Sequence, residues 1–233
     1  MTNDFMKSFN LYSYGPVSSF LIGYVENNSF TSTGTAFCLV GQNYFLSCLH
    51  CVDITKDMHI ALPKMSDGFI DTTANELSCW KVKLIQKSAK YDIALLKADE
   101  FFLQSHCHNV NPFLKKSIDV NVLDDTIYCG YPLYSYGTGS LKWSKSNISS
   151  KNLVADGVKH YILDSVIHPG NSGGPLIDQK TSKVIGIIAS TFDPSGKSGM
   201  FVNGFKVGTN TSIGRAICIE HAFDLLKAEG LYE

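Results

Sequence analysis

At 233 residues, 44% of them apolar, the chain is long enough for one large domain or two small units sharing a core. A formal net charge of −1, with no long run of either sign, argues against general attraction to nucleic acid or to an anionic membrane. Apolar runs such as Val184–Ala189 are far too short to cross a bilayer.

The first residues, Met1–Gly15, carry Asp4, one lysine and no apolar core segment, so they do not read as a secretory signal. Short β-branched and aromatic runs, punctuated by Gly, Asn, Asp, Ser and Pro, predict strands over Ser19–Val25, Gly34–Val40, Tyr44–Ser47, Lys81–Gln86 and Ile93–Lys97. Phe101–Asp124, with its clustered His, Asn and Pro, reads as a connector between two β-rich halves. Strands are expected again over Thr126–Tyr131, Tyr161–Asp164, Val184–Ser190 and Ala216–Ile219, with Asn203–Ser212 as a loop. From Glu220 onward Ala222, Phe223, Leu225 and Leu226 form the apolar stripe of one helix, which Gly230 ends. The fold class is therefore all-β, a barrel or a sandwich.

Seven cysteines (Cys38, Cys48, Cys51, Cys79, Cys107, Cys129, Cys218) are an odd number. Without an export signal they read as reduced thiols, which points to a cytoplasmic protein.

The strongest local signal is Pro169-Gly170-Asn171-Ser172-Gly173-Gly174-Pro175-Leu176. A serine flanked by glycines suits a tight turn on which its hydroxyl projects and backbone N–H groups face one point. Ser172 is thus a candidate nucleophile, with the N–H groups of Gly170 and Ser172 as a candidate oxyanion hole. A serine hydroxyl is a weak nucleophile near neutrality, so it needs a base, and the base needs an orienting partner. His50, at the end of the apolar run Phe45–Leu49, and Asp92, directly before Ile93–Leu96, are the candidates. Taken singly, the serine reads as a turn residue, the histidine as a core residue and the aspartate as a cap; their combination gives the chemistry. Cys48-Leu49-His50-Cys51 also has the residue types of half a zinc site. No second cluster of ligand spacing accompanies it, so no metal and no cofactor are expected. His106, His108, His160, His168 and His221 read as surface or loop residues, with His168 close enough in sequence to Ser172 to meet substrate.

Gly34-Thr35-Ala36-Phe37, Ser47–Val52, Asp92–Leu96 and Gly170–Leu176, in that order, resemble the four motifs of the trypsin/chymotrypsin superfamily of serine proteases. Asn171 and Val184–Ile188 are most similar to its HtrA-like bacterial branch. The resemblance implies two six-stranded antiparallel β-barrels with a C-terminal helix. The first barrel would span about residues 14–105, the connector 106–124, the second barrel 125–219 and the helix 220–231. It also implies a serine endopeptidase acting on protein or peptide substrates, with His50, Asp92 and Ser172 as catalytic residues.

Superfamily members activated by cleavage carry an aspartate where this chain has Asn171, and no matching N-terminal activation sequence is present, so that route is not expected. No PDZ domain, the peptide-binding module of HtrA proteases, is expected after Glu233. The resemblance puts Val166 at the floor of the primary specificity pocket. An unpaired Lys or Arg side chain would be desolvated there at high cost, so a small or medium apolar side chain is expected, unless Asp164 or Arg215 alters the walls. Ala189, Ser190 and Thr191 resemble the strand that pairs with substrate main chain. Two rival readings keep the fold: a catalytically silent binding module, and a protease switched on by an activating partner protein.

Overall fold

The computed structural model describes residues 12–39, 43–72, 76–98, 109–134, 139–191, 201–202, 205–206 and 213–233. His106, His108, Cys107 and most of the expected loop Asn203–Ser212 lie outside these residues.

Seventeen strands are described, and twelve of them close into two antiparallel barrels. The first uses β2 (Val17–Glu26), β3 (Ser29–Leu39), β4 (Tyr44–Cys48), β9 (Ile93–Ala98), β8 (Leu77–Ser88) and β5 (Met58–Pro63). Pairing of β5 with β2 completes the ring, while β1 (Ser13–Tyr14) adds to β2. The second follows the order β10 (Asp125–Gly130), β11 (Lys142–Leu153), β12 (Lys159–Asp164), β17 (Ile213–Cys218), β14 (Val184–Thr191) and β13 (Pro175–Asp178). Two short hairpins stand apart, β6 (Met65–Ser66) with β7 (Phe69–Ile70), and β15 (Phe201–Val202) with β16 (Phe205–Lys206). The last pair falls within and beside the segment read from sequence as a loop.

Closure leaves each barrel a packed interior. Phe20, Phe45 and Leu96 fill the first, Ile148, Tyr161, Leu163, Leu176, Ile185 and Ile188 the second, while Phe37 and Leu95 share the face of Ser19. β2 is buried on both faces from Val17 to Gly23 because its outer face meets the second barrel. There Ser19 Oγ and Cys129 Sγ share a 2.9 Å hydrogen bond, and Tyr131 donates its hydroxyl to the Ser19 carbonyl.

The C-terminal helix is shorter than the apolar stripe suggests. A 3₁₀ turn, Ile219–Ala222, leads into α1 (Phe223–Ala228). Gly230 ends it at φ +67°, in the left-handed conformation that favours glycine. Among the described residues no helix is long and apolar enough to cross a membrane.

Candidate active site

Asp92 closes the turn between β8 and β9 with a left-handed backbone, φ +55°, which aspartate tolerates better than most residues. Three hydrogen bonds tie it to the 3₁₀ turn Leu49–Cys51. Leu49 N–H donates to the Asp92 carbonyl (3.1 Å), His50 N–H to Oδ1 (2.9 Å) and His50 Nδ1–H to Oδ2 (2.6 Å). The carboxylate therefore fixes both the main chain and the ring of His50, leaving Nε2 turned away from it. The hydrogen bond to Asp92, followed by the neighbouring Cys51 side chain, pushes the His50 pKa up to about 10.

That shift has a sign. A rate that needs neutral His50 rises with pH until the ring has lost its proton near pH 10, and kcat/KM measured across pH should show this alkaline limb. Asp92→Asn removes the main cause, so the limb should move down toward the ordinary imidazole value of about 6.5. The stability linked to the pair runs the other way. It is fully present below about pH 6.5 and is lost as pH rises through the folded value, and because the ring is half exposed its size is small.

Ser172 sits on the turn that leads into β13. His168 to Asn171 form a turn closed by Asn171 N–H donating to the His168 carbonyl (3.0 Å), with proline second and glycine third, as a type II turn requires. Gly170 has φ +98°, and a Cβ there would lie 2.2 Å from the Tyr131 carbonyl oxygen, so both conformation and space demand glycine. Leu133 N–H holds the Pro169 carbonyl at 2.7 Å, which turns the Gly170 N–H to the opposite side of that peptide. Among the described residues neither the Gly170 nor the Ser172 N–H has an acceptor.

The first barrel grips this turn directly. Thr35 N–H donates to the Ser172 carbonyl (2.8 Å), and Thr35 Oγ1 donates to the Gly170 carbonyl (2.7 Å) while accepting from Tyr131 N–H (3.1 Å). Ser47 Oγ donates to the Thr35 carbonyl at 2.7 Å, Cys51 Sγ to the Ser172 carbonyl at 3.5 Å and Cys48 Sγ to the Ile188 carbonyl at 3.3 Å. Thr35 and Ser47 are fully buried. Their functional weight was missed from sequence; Ser47 stands out only as a hydroxyl in the apolar β4, and Thr35 is masked by the four other Ser and Thr residues of β3. Thr35→Val keeps the shape but orphans the Gly170 carbonyl and the Tyr131 N–H. Chemical denaturation should show a loss of about 2–4 kcal/mol.

The Ser172 hydroxyl donates to the Ala189 carbonyl at 2.7 Å and has no hydrogen bond to His50. The structure thus joins His50 to Asp92 and Ser172 to Ala189, with Cys51, next to His50 in the chain, linking the two pairs through the Ser172 carbonyl. Ser190 and Thr191 continue β14, paired with Arg215 and Gly214 of β17. Val166 lies half-buried between β12 and the serine turn, its carbonyl accepting from Tyr128 Oη at 3.4 Å.

Cys48 Sγ, a nitrogen of His50 and an oxygen of Asp92 fall within 4.8 Å of one another. Burial raises the Cys48 thiol well above its ordinary pKa, and its sulfur is committed to Ile188. With His50 Nδ1 committed to Asp92 as well, these donors are used for hydrogen bonding.

Residues 34–187 match the trypsin-like peptidase domain family. A probable periplasmic serine endoprotease, DegP-like, from Ectopseudomonas mendocina is 27% identical over 85% of this chain and 36% of its own length. Protease Do-like 2, chloroplastic, from Arabidopsis thaliana is 26% identical over 66% of the chain and 23% of its own length. The chain thus spans about a quarter to a third of these relatives. Among solved structures, the HtrA-type protease AlgW with a decapeptide superposes with TM-score 0.65 at 19% identity, covering 96% of this chain and 66% of that one. The MamO protease domain from Magnetospirillum magneticum gives 0.61 at 16% identity, covering 93% and 99%. At these identities the likeness is one of fold, and the two barrels and the C-terminal helix agree with it.

Proposed function

The chain belongs to the trypsin-like peptidase domain family, and from that premise we propose that it is a serine endopeptidase with Ser172 as nucleophile, His50 as general base and Asp92 as the group that orients and charges the base. The observation that carries this reading is the doubly bonded Asp92–His50 pair, tied through Cys51 to a serine turn whose Gly170 and Ser172 N–H groups have no acceptor among the described residues.

In the reaction Ser172 Oγ leaves Ala189, passes its proton to His50 Nε2 and attacks the substrate carbonyl carbon. The Gly170 and Ser172 N–H groups receive the negative oxygen. Protonated His50 then donates to the leaving amine as the C–N bond breaks, and water, activated by the same ring, hydrolyses the acyl ester. Asp92 stays ionised throughout and stabilises the imidazolium.

Labelling with a peptidyl fluorophosphonate tests the assignment: Ser172 should be modified, and Ser172→Ala should not. An unlabelled wild-type protein with an intact fold would remove it. Specificity follows from Val166, which offers no carboxylate to a Lys or Arg side chain. Profiling on a denatured proteome should yield cleavage after small or medium apolar residues, and a dominant Lys/Arg preference would refute that part.

A second reading, a module silent until a partner engages it, is favoured by the Ser172–Ala189 hydrogen bond. Labelling that appears only when a partner protein is added would select it. The free thiols of Cys38, Cys48, Cys51, Cys79, Cys129 and Cys218 support a reducing, cytoplasmic setting, which cell fractionation tests.

A further inference from the structure

Ala189 occupies an irregular point of β14. The ladder to β17 runs Gly186↔Cys218, Ile187↔Ile217 and Ile188↔Ala216, then shifts register, so that Ser190 faces Arg215 and Ala189 faces no residue. On the other side, the Ile188 main chain ties this end of β14 to the serine turn, accepting from Gly173 N–H at 2.7 Å and donating to the Gly174 carbonyl at 2.8 Å. The Ala189 carbonyl is therefore outside the ladder, and the partner it has is the hydroxyl of Ser172.

From this placement we infer that the nucleophile is capped at rest by the same carbonyl an extended substrate needs, so that docking of peptide main chain on residues 189–191 releases the hydroxyl to His50. An added strand along 189–191 brings its own N–H groups to the carbonyls that the sheet leaves open. Ala189 O is such a carbonyl, and it lies one hydrogen bond from Ser172 Oγ. A substrate N–H and the serine hydroxyl compete for it. The His50 ring reinforces the cap, because a protonated imidazole has no lone pair to accept the hydroxyl's proton. The oxyanion donors take no part in this switch: the Pro169 carbonyl is already held by Leu133, and neither N–H group has an acceptor among the described residues. Only the nucleophile waits.

The inference rests on the peptidase reading but fails separately from it. Its test is calorimetric binding of an acetylated apolar pentapeptide amide ending in valine, to wild type and to Ser172→Ala, beside the analogue N-methylated at that valine. Removing the cap frees Ala189 O, so Ser172→Ala should bind the parent peptide about fivefold tighter, the worth of one net hydrogen bond. The N-methylated analogue should bind both proteins equally. The His50 ring resonances should titrate alike in the two proteins without peptide, since no Ser172–His50 bond exists to lose. Equal affinities for the parent peptide, or a His50 titration that moves in Ser172→Ala, would overturn the cap. Fluorophosphonate labelling of wild type in the same experiment keeps the two ideas apart: labelling with equal affinities defeats the cap and leaves the peptidase, whereas an unlabelled Ser172 defeats both.

Discussion

Replacing Asp92 by asparagine is expected to lower kcat by about four orders of magnitude while leaving the fold intact. Asparagine tolerates the left-handed backbone at φ +55°, so the turn into β9 survives, and its amide oxygen can still accept from the His50 main chain. What is lost is the charge beside Nδ1. Without it the ring is free to take the tautomer that presents a proton, not a lone pair, toward the serine, and the imidazolium formed on attack has no counter-ion. Turnover of an unstructured protein substrate measures the effect, with circular dichroism as the control for folding. A loss of less than tenfold would mean that His50 does not act as the base.

Gly170→Ala carries the second large effect. The added methyl would sit 2.2 Å from the Tyr131 carbonyl oxygen, at a backbone angle that a side chain rarely adopts. The peptide before it must rotate or the turn must shift, which breaks the Leu133 to Pro169 hydrogen bond and turns the Gly170 N–H out of position. Loss of one such donor costs about 10²–10³ in kcat. KM should change far less, because the strand 189–191 is untouched. Equal losses in kcat and in substrate affinity would instead indicate a collapsed cleft.

Most of the fold was legible because inward-facing residues in a barrel strand are apolar and β-branched. Nine strands were placed from such runs, and β9 matches its run almost end to end, Ile93–Lys97 against Ile93–Ala98. The strands that escaped notice break that rule. β11, KWSKSNISSKNL, is one of the longest strands yet turns a polar face to solvent, and Ile148 is its one fully buried side chain. β13 was hidden inside the serine motif, and β5 is interrupted by His59 and closes on Pro63. The helix was overextended at its start, where a 3₁₀ turn has the same apolar spacing over so few residues.

At the site, residue types and order pointed to His50, Asp92 and Ser172. Sequence was silent on which way the serine hydroxyl points, since that depends on a register shift in a strand with an ordinary composition. Thr35 and Ser47 were equally hidden: a buried hydroxyl reads as a tolerated polar residue until its acceptor, more than a hundred positions away for Thr35, comes into view.

The seam between the barrels also makes chemistry contingent on docking. Thr35, Ser47, Cys48 and Cys51 belong to one half of the chain, and of these Thr35, Cys48 and Cys51 reach carbonyls of the other half, at Gly170, Ile188 and Ser172. Each half could complete its own ladder of strands and still lack a shaped turn around the nucleophile. On the peptidase reading, a newly made or partly opened molecule would hold all its reactive groups yet cut nothing, which spares its neighbours until both halves have met.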